Sequence, residues 1–246
     1  MRVLGGDYAR MGPDQTVFCL ADNEGWSEHV VHGFWEFSGL KNPQRVQRTR
    51  DLYVSEHPMF VSVDAVGIGS GTADDLEAIG VPVFRVMGGA AAFNPDYYDL
   101  RSELFWIMRR KFERHIMHIV AQGVTKAQRE RIIREVSSLR YYTTSKGKIR
   151  FESKEEYIKR VGKSPDYADT LSYTMVTMEM WEGAMGDQGD IEVLAGDPGP
   201  YPRSTWGGGG IGNRDNIPDD PDRGAFGEVS IVRFGVRDDY DDEDDG

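Results

Sequence analysis

The sequence predicts a mixed α/β fold, with a central five-stranded sheet flanked by helices. Three observations predict it. Short apolar runs rich in valine and aromatic residues recur without the length a helix needs. Three of them come first, with no helical pattern between them, as in an antiparallel meander. The next two alternate with helical segments, as in a parallel continuation of the same sheet.

The opening strands are RVLGGDYA (2–9), TVFCLAD (16–22) and EHVVHGFWEF (28–37). PQRVQRTRDLYVSEH (43–57) reads as a helix, and MFVSVDAVGIG (59–69) as a buried strand. TADDLEAIG (72–80) is a short helix, with Thr72 as N-cap, acids in its first turn and Gly80 at its end. VPVFRV (81–86) is the fifth strand. DLRSELFWIMRRKFERHI (99–116) is a long amphipathic helix, and TKAQRERIIREVSSL (125–139) is another, opened by Thr125. YYTTSKGKIRFES (141–153) is an added β-hairpin turning at Lys146-Gly147. SPDYADTLSYTMVTMEMWEGAM (164–185) closes the domain as one helix, with Pro165 near its first turn.

A length of 246 residues suits one large domain with an appendage. Residues 1–185 form the domain. Residues 186–246 are dense in Gly, Pro and Asp, and are expected to be a largely flexible acidic tail. The net charge of -12 hides a strong asymmetry. Residues 101–160 hold 16 Lys+Arg against 7 Asp+Glu, whereas residues 186–246 hold 5 against 16. A basic segment of this size is either the footprint of a phosphate-backbone partner or a solvated helix face. The one cysteine, Cys19, excludes an intrachain disulfide and a cysteine zinc cluster. MRVLGGDYAR lacks a signal peptide's apolar stretch, and no run approaches the roughly 20 apolar residues of a membrane span. A soluble, unsecreted protein is expected.

The stretch VSVDAVGIGSG (61–71) offers two chemistries. Its glycines could cradle a phosphate, or Asp64 could be the working residue. No GxxxxGK[ST] loop occurs anywhere in the chain, and the helix that follows opens with acids that would repel a phosphate. The acid reading gains from two others. Asp7 closes the first strand, and Asp169 lies in the first turns of the last helix, with Asp166 beside it. Carboxylates gathered at one point are costly unless a cation neutralises them, and hard oxygen ligands favour Mg²⁺ or Mn²⁺. Each acid taken singly could instead be a turn former or a helix N-terminal acid. His115 and His118, one turn apart on the expected helix, are a weaker metal pair.

The blocks GGDYARMGPDQTVF, VSVDAVGIGSGTADDL, LRSELFWIMRRKFE and GKIRFESKEEYIKRVGKSPDYADTL resemble the C-terminal nuclease domain of tailed-bacteriophage large terminase subunits. That family belongs to the ribonuclease H-like (RuvC-like) nucleases. The resemblance spans residues 2–182, nearly three quarters of the chain, and departs mildly at Thr170, where the family more usually has alanine.

The resemblance implies a ribonuclease H-like fold and a DNA endonuclease that cuts concatemeric DNA with two Mg²⁺ or Mn²⁺ ions. It places the metal acids on Asp7, Asp64 and Asp169, with Asp166 as accessory ligand or structural cap and Asp14 as structural or accessory. Lys146, Lys148 and Arg150 of the hairpin become DNA-backbone contacts. The implied partners are double-stranded DNA, a terminase ATPase domain, the small terminase subunit and the portal, in the host cytoplasm. With no phosphate loop in it, the chain itself is expected not to hydrolyse ATP, whether it is an excised domain or a separately encoded nuclease. A Holliday-junction resolvase and a non-catalytic DNA-docking module remain the alternatives.

Overall fold

The computed structural model describes residues 1–9 and 15–186. Asp14 and all but the first residue of the expected tail lie outside them. Among the described residues the sheet has six strands rather than five. In chain order these are β1 (Arg2–Asp7), β2 (Gln15–Asn23), β3 (His29–Ser38), β4 (Phe60–Asp64), β5 (Val83–Val86) and β6 (Met117–Ile119). Their spatial order is β5-β4-β1-β2-β3-β6. The β1–β2–β3 meander is antiparallel, while β4, β5 and β6 join in parallel. Helices α1 (Asn42–Glu56) and α2 (Ile68–Ala78) connect the β3–β4 and β4–β5 crossovers.

Alternation along the strands divides the core in two. Leu4, Phe18, Leu20, Val61 and Val63 pack with Leu52 of α1 and Ala73 and Leu76 of α2. Val3, Val17, Cys19 and Phe60 face the other way, toward α3 (Leu100–Glu113), α4 (Lys126–Ser138) and α6 (Asp166–Tyr173). The sheet is therefore covered on both faces, which its parallel part requires. A separate hairpin, β7 (Tyr141–Thr143) and β8 (Ile149–Phe151), lies against α3, where Phe151 stacks on Phe105 with centroids 5.4 Å apart.

Four local expectations change. The helix expected over 99–116 stops at Glu113. His115 takes a positive φ of 55°, and His118 sits in β6 paired beside Val30, so the two histidines share no helix face. The helix expected to start at Thr72 starts at Ile68, and the Thr72 hydroxyl is buried, donating to Asn42 Oδ1 (2.6 Å) and accepting from Arg45 Nε (3.2 Å). The single closing helix is two, α6 and α7 (Met178–Gly186). Asn23 of β2 causes the break: its Nδ2 donates to the carbonyls of Thr174 (3.1 Å) and Val176 (3.0 Å) and draws them out of the helical ladder. An unforeseen helix, α5 (Lys154–Val161), is opened by a capping box in which Ser153 and Glu156 satisfy each other's backbone N–H.

Asn23 also belongs to a buried polar chain. Lys111 Nζ donates to Asn23 Oδ1 (2.7 Å) and approaches His29 Nδ1 (3.2 Å), while His29 Nε2 meets Thr174 Oγ1 (3.0 Å). No carboxylate pairs with this lysine among the described residues, and burial lowers its pKa to about 7. The folded protein then holds fewer protons at this site than the unfolded chain between about pH 7 and 10.5, so stability rises with pH across that window. Lys111→Met is expected to flatten that rise and to raise the melting temperature at pH 7 and below. Chemical denaturation from pH 6 to 10 checks it, and an unchanged pH slope would refute it.

Candidate active site

The site forms at the carboxyl ends of the two central parallel strands, the edge where open α/β sheets place their ligands. In the β1–β4 register Gly6 lies beside Val63, so the next residues, Asp7 and Asp64, leave the sheet side by side. Asp169 arrives from above. Helix α6 crosses β1 so closely that a Cβ on Gly5 would lie 2.5 Å from the Thr170 carbonyl oxygen. Only glycine at that position lets the helix bring Asp169 over Asp7.

Gly69 has a similar role. A Cβ there would lie 1.8 Å from the Asp64 carbonyl oxygen, so its bareness serves the approach of α2 to the strand end that carries the acid. The clearance at Gly69 is taken up by the protein's own backbone.

Two cations hold the acids. Lys154 Nζ, in the first turn of α5, lies 2.9 Å from Asp7 Oδ2 and 3.1 Å from Asp169 Oδ2. Arg101 Nη1, from the first turn of α3, lies 2.6 Å from Asp169 Oδ1, and its guanidinium covers the Phe105 ring at 4.4 Å. The Lys154 contact to Asp169 is a charge contact without hydrogen-bond direction, so Oδ2 of this fully buried residue has no directed donor. Among the described residues Asp64 makes no ion pair; its Oδ1 accepts from the Val66 N–H (2.9 Å).

The electrostatics follow from burial and these contacts. Burial raises the Asp7 carboxyl, and Lys154 only partly offsets it. Burial also acts to raise Asp169, but Arg101 and then Lys154 outweigh it and hold that carboxyl below the usual range. Asp64 is pushed up to about 6, chiefly by burial, with the neighbouring Asp7 charge adding to it against the Val66 N–H. Three carboxylates thus face two cations, and the one left over, Asp64, is the least buried of the three.

Asp166 is tied to α4, while burial and then the nearby Asp7 charge push its carboxyl up to about 7. Its Oδ2 accepts from Arg131 Nη2 (3.0 Å), which also binds Glu135 through Nε (2.7 Å). Glu135 in turn accepts the Tyr167 and Ala168 N–H groups (2.8 and 3.1 Å), capping the N-terminus of α6 from α4. Asp166 therefore sits in the tie that fixes the helix carrying Asp169. Lys146 and Lys148 lie on the hairpin turn, and Arg150 lies on its outer face, where its guanidinium packs over Tyr98.

Among the described residues no three His, Cys, Asp or Glu side chains already converge as a metal site; the Lys154 ammonium stands between two of the acids. The donor set is nonetheless that of a hard divalent cation: two buried carboxylates with a third beside them, one buried oxygen lacking a directed donor, and no soft ligand. Sequence reading missed Lys154 and Arg101. The S-x-x-E of SKEE signalled a helix start, and an arginine in the first turn of α3 opposes the helix dipole, a hint that a carboxylate holds it there.

No protein-family model and no curated protein matches the chain. Solved structures do. The nuclease domain of the large terminase subunit gp2 of bacterial virus Sf6 aligns at a TM-score of 0.58 and 17% identity, covering 72% of this chain and 88% of that one. A mutant of that domain, with manganese and β-thujaplicinol, aligns at 0.60 and 16% over the same shares. The large terminase nuclease of thermophilic phage G20c, with bound magnesium, aligns at 0.51 and 18%, covering 71% and 80%. This chain therefore has the ribonuclease H-like α/β fold of the bacteriophage large-terminase nuclease domains.

Proposed function

We propose that this chain is a divalent-metal-dependent DNA endonuclease of a viral genome-packaging terminase, cutting concatemeric double-stranded DNA by two-metal-ion phosphodiester hydrolysis. The observation that carries the reading is that Asp7 and Asp169 share Lys154 at the carboxyl edge of β1 while Asp64 ends the neighbouring strand β4, three acids against two cations. The fold shared with terminase nuclease domains supports it, as does the manganese or magnesium in two of those structures.

Asp7, Asp64 and Asp169 would hold the ions. Mg²⁺ or Mn²⁺ held there would supply water activation and neutralisation of charge on the phosphate and the leaving oxygen. The chain's own residues prepare the site. Arg101 keeps Asp169 ionised, α6 fixes its height over Asp7, and Asp64 presents its carboxylate on the solvent side. Asp166 acts through Arg131 on the position of α6, the structural role rather than that of an accessory ligand. Lys146 and Lys148 contact phosphates without reading sequence. Residues 1–185 would be the nuclease unit, and the terminase ATPase domain, the small subunit and the portal its partners.

Incubation with supercoiled plasmid, linear duplex and a four-way junction tests the reading. Nicking and linearisation are expected in Mn²⁺ or Mg²⁺ and not in chelator, with no preference for the junction. Absence of cutting above the chelator background overturns the reading and leaves a DNA-docking module. A strong junction preference replaces it with a resolvase.

A further inference from the structure

We propose that the outer face of the β7–β8 hairpin is a stacking platform for an unpaired nucleobase, so that the DNA held at this site carries one or more unpaired nucleotides beside the cut. The inference rests on the nuclease reading above and adds a substrate feature to it.

The hairpin has two unlike faces. Phe151 is buried against Phe105, and Tyr141 packs on Phe151 and Trp106 with centroids 5.5 and 5.1 Å away. One residue along each strand the side chains point outward. Tyr142 and Arg150 are direct cross-strand partners there, and Tyr98, from the segment just before α3, joins them by donating its N–H to the Ile149 carbonyl (2.8 Å). The Arg150 guanidinium lies 4.6 Å from the Tyr98 ring centroid and 5.7 Å from that of Tyr142. Tyr98 is 50% exposed and Tyr142 42%, so neither ring serves the core.

Two open aromatic rings joined by a guanidinium form a surface on which a flat π-system stacks, as bases do on single-strand-binding proteins. Lys146 and Lys148, on the turn of the same hairpin, supply the charge that a phosphate backbone beside such a base requires. An intact duplex presents no base face along its length, so the occupant is an unpaired or terminal base.

The platform is also tied to the acids. β8 ends at Phe151, one residue after Arg150, and the next residue, Glu152, accepts from Arg101 Nε through its carbonyl (3.4 Å), while Arg101 holds Asp169. Two residues of extended chain, roughly 7 Å, and the length of the Arg101 side chain thus connect the platform to Asp169, a reach that a few nucleotides of DNA can cover.

The test measures binding, in chelator and at low salt, to a duplex and to the same duplex with a short single-stranded gap containing 2-aminopurine. Wild type is expected to bind the gapped DNA more tightly and to quench the 2-aminopurine. Tyr98→Ala and Tyr142→Ala are each expected to lose roughly 5- to 150-fold on gapped DNA, more than on intact duplex. Tyr142→Phe, which keeps the ring, retains both the preference and the quenching. Equal losses on the two DNAs, or a Phe variant as impaired as the Ala variant, overturn the platform. A wild type that nicks plasmid in Mn²⁺ but shows neither preference nor quenching overturns the platform alone. One that neither binds nor cuts DNA overturns the nuclease reading with it.

Discussion

Asp64→Ala is expected to reduce metal-dependent nicking by roughly a thousandfold or more while leaving the melting temperature almost unchanged. The stability half follows from the geometry. Among the described residues Asp64 makes no ion pair, and burial raises its carboxyl to about 6, so holding it ionised at neutral pH works against folding. Its removal relieves that cost, at most about 3 kcal/mol for a carboxyl raised to about 6, but leaves the Val66 N–H without its acceptor, about 1–3 kcal/mol, so the two largely offset. Asp169→Ala is expected to lose nicking equally and stability heavily. It strands the Arg101 guanidinium and the Lys154 ammonium without their shared acid, and breaking a buried pair costs about 3–5 kcal/mol. For a domain of this size that lowers the melting temperature by about 10 °C. Melting curves and plasmid nicking on the same preparations separate the two variants. Equal destabilisation would make Asp64 a structural acid, and undiminished nicking by Asp64→Ala would remove it from the chemistry.

The parts of this architecture that were legible in the sequence are those fixed by local pattern. The runs around Val3, Val17, Val31, Val61 and Val83 alternate or stay apolar over strand length, and each became a strand of the sheet. The acids at strand ends could be located for the same reason, since Asp7 and Asp64 terminate such runs. What was not legible depended on partners distant in sequence. β6 is three residues long and exists through its pairing with β3. The interruption between α6 and α7 depends on Asn23, more than a hundred residues away. Gly69 reads locally as the end of the strand expected over 59–69, whereas it lies in α2, and only the packed structure reveals the Asp64 carbonyl where its side chain would be. The hairpin residue Arg150 was legible as a cation but not as a ring-stacked one, because Tyr98 reaches it from another segment. The counter-charges of the acid cluster were hidden for the same reason: Arg101 and Lys154 come from helices outside the strands that carry Asp7 and Asp64.

Lys154→Ala is expected to tighten divalent-metal binding, the reverse of the usual effect of damaging an active site. The Lys154 ammonium lies between Asp7 and Asp169, and although burial disfavours its charge, the two carboxylates outweigh burial and hold its pKa well above the ordinary lysine value. It is therefore a resident cation competing for the oxygens a metal would use. Without it the two acids repel each other in chelator, at a cost on the order of 2–3 kcal/mol, which lowers the melting temperature. Mn²⁺ then has no ammonium to displace from between Asp7 and Asp169 and is expected to bind about tenfold more tightly, adding about 1.4 kcal/mol to its stabilisation of the folded state. Calorimetric titration with Mn²⁺ and melting with and without the metal measure both halves. Equal or weaker Mn²⁺ binding by the variant would show that Lys154 assists the cation rather than standing in for it. Cleavage at saturating metal adds a second distinction. A lysine that only neutralises the acids is dispensable there, whereas one that turns to the phosphate as the metal enters is not, and its loss persists however much Mn²⁺ is added.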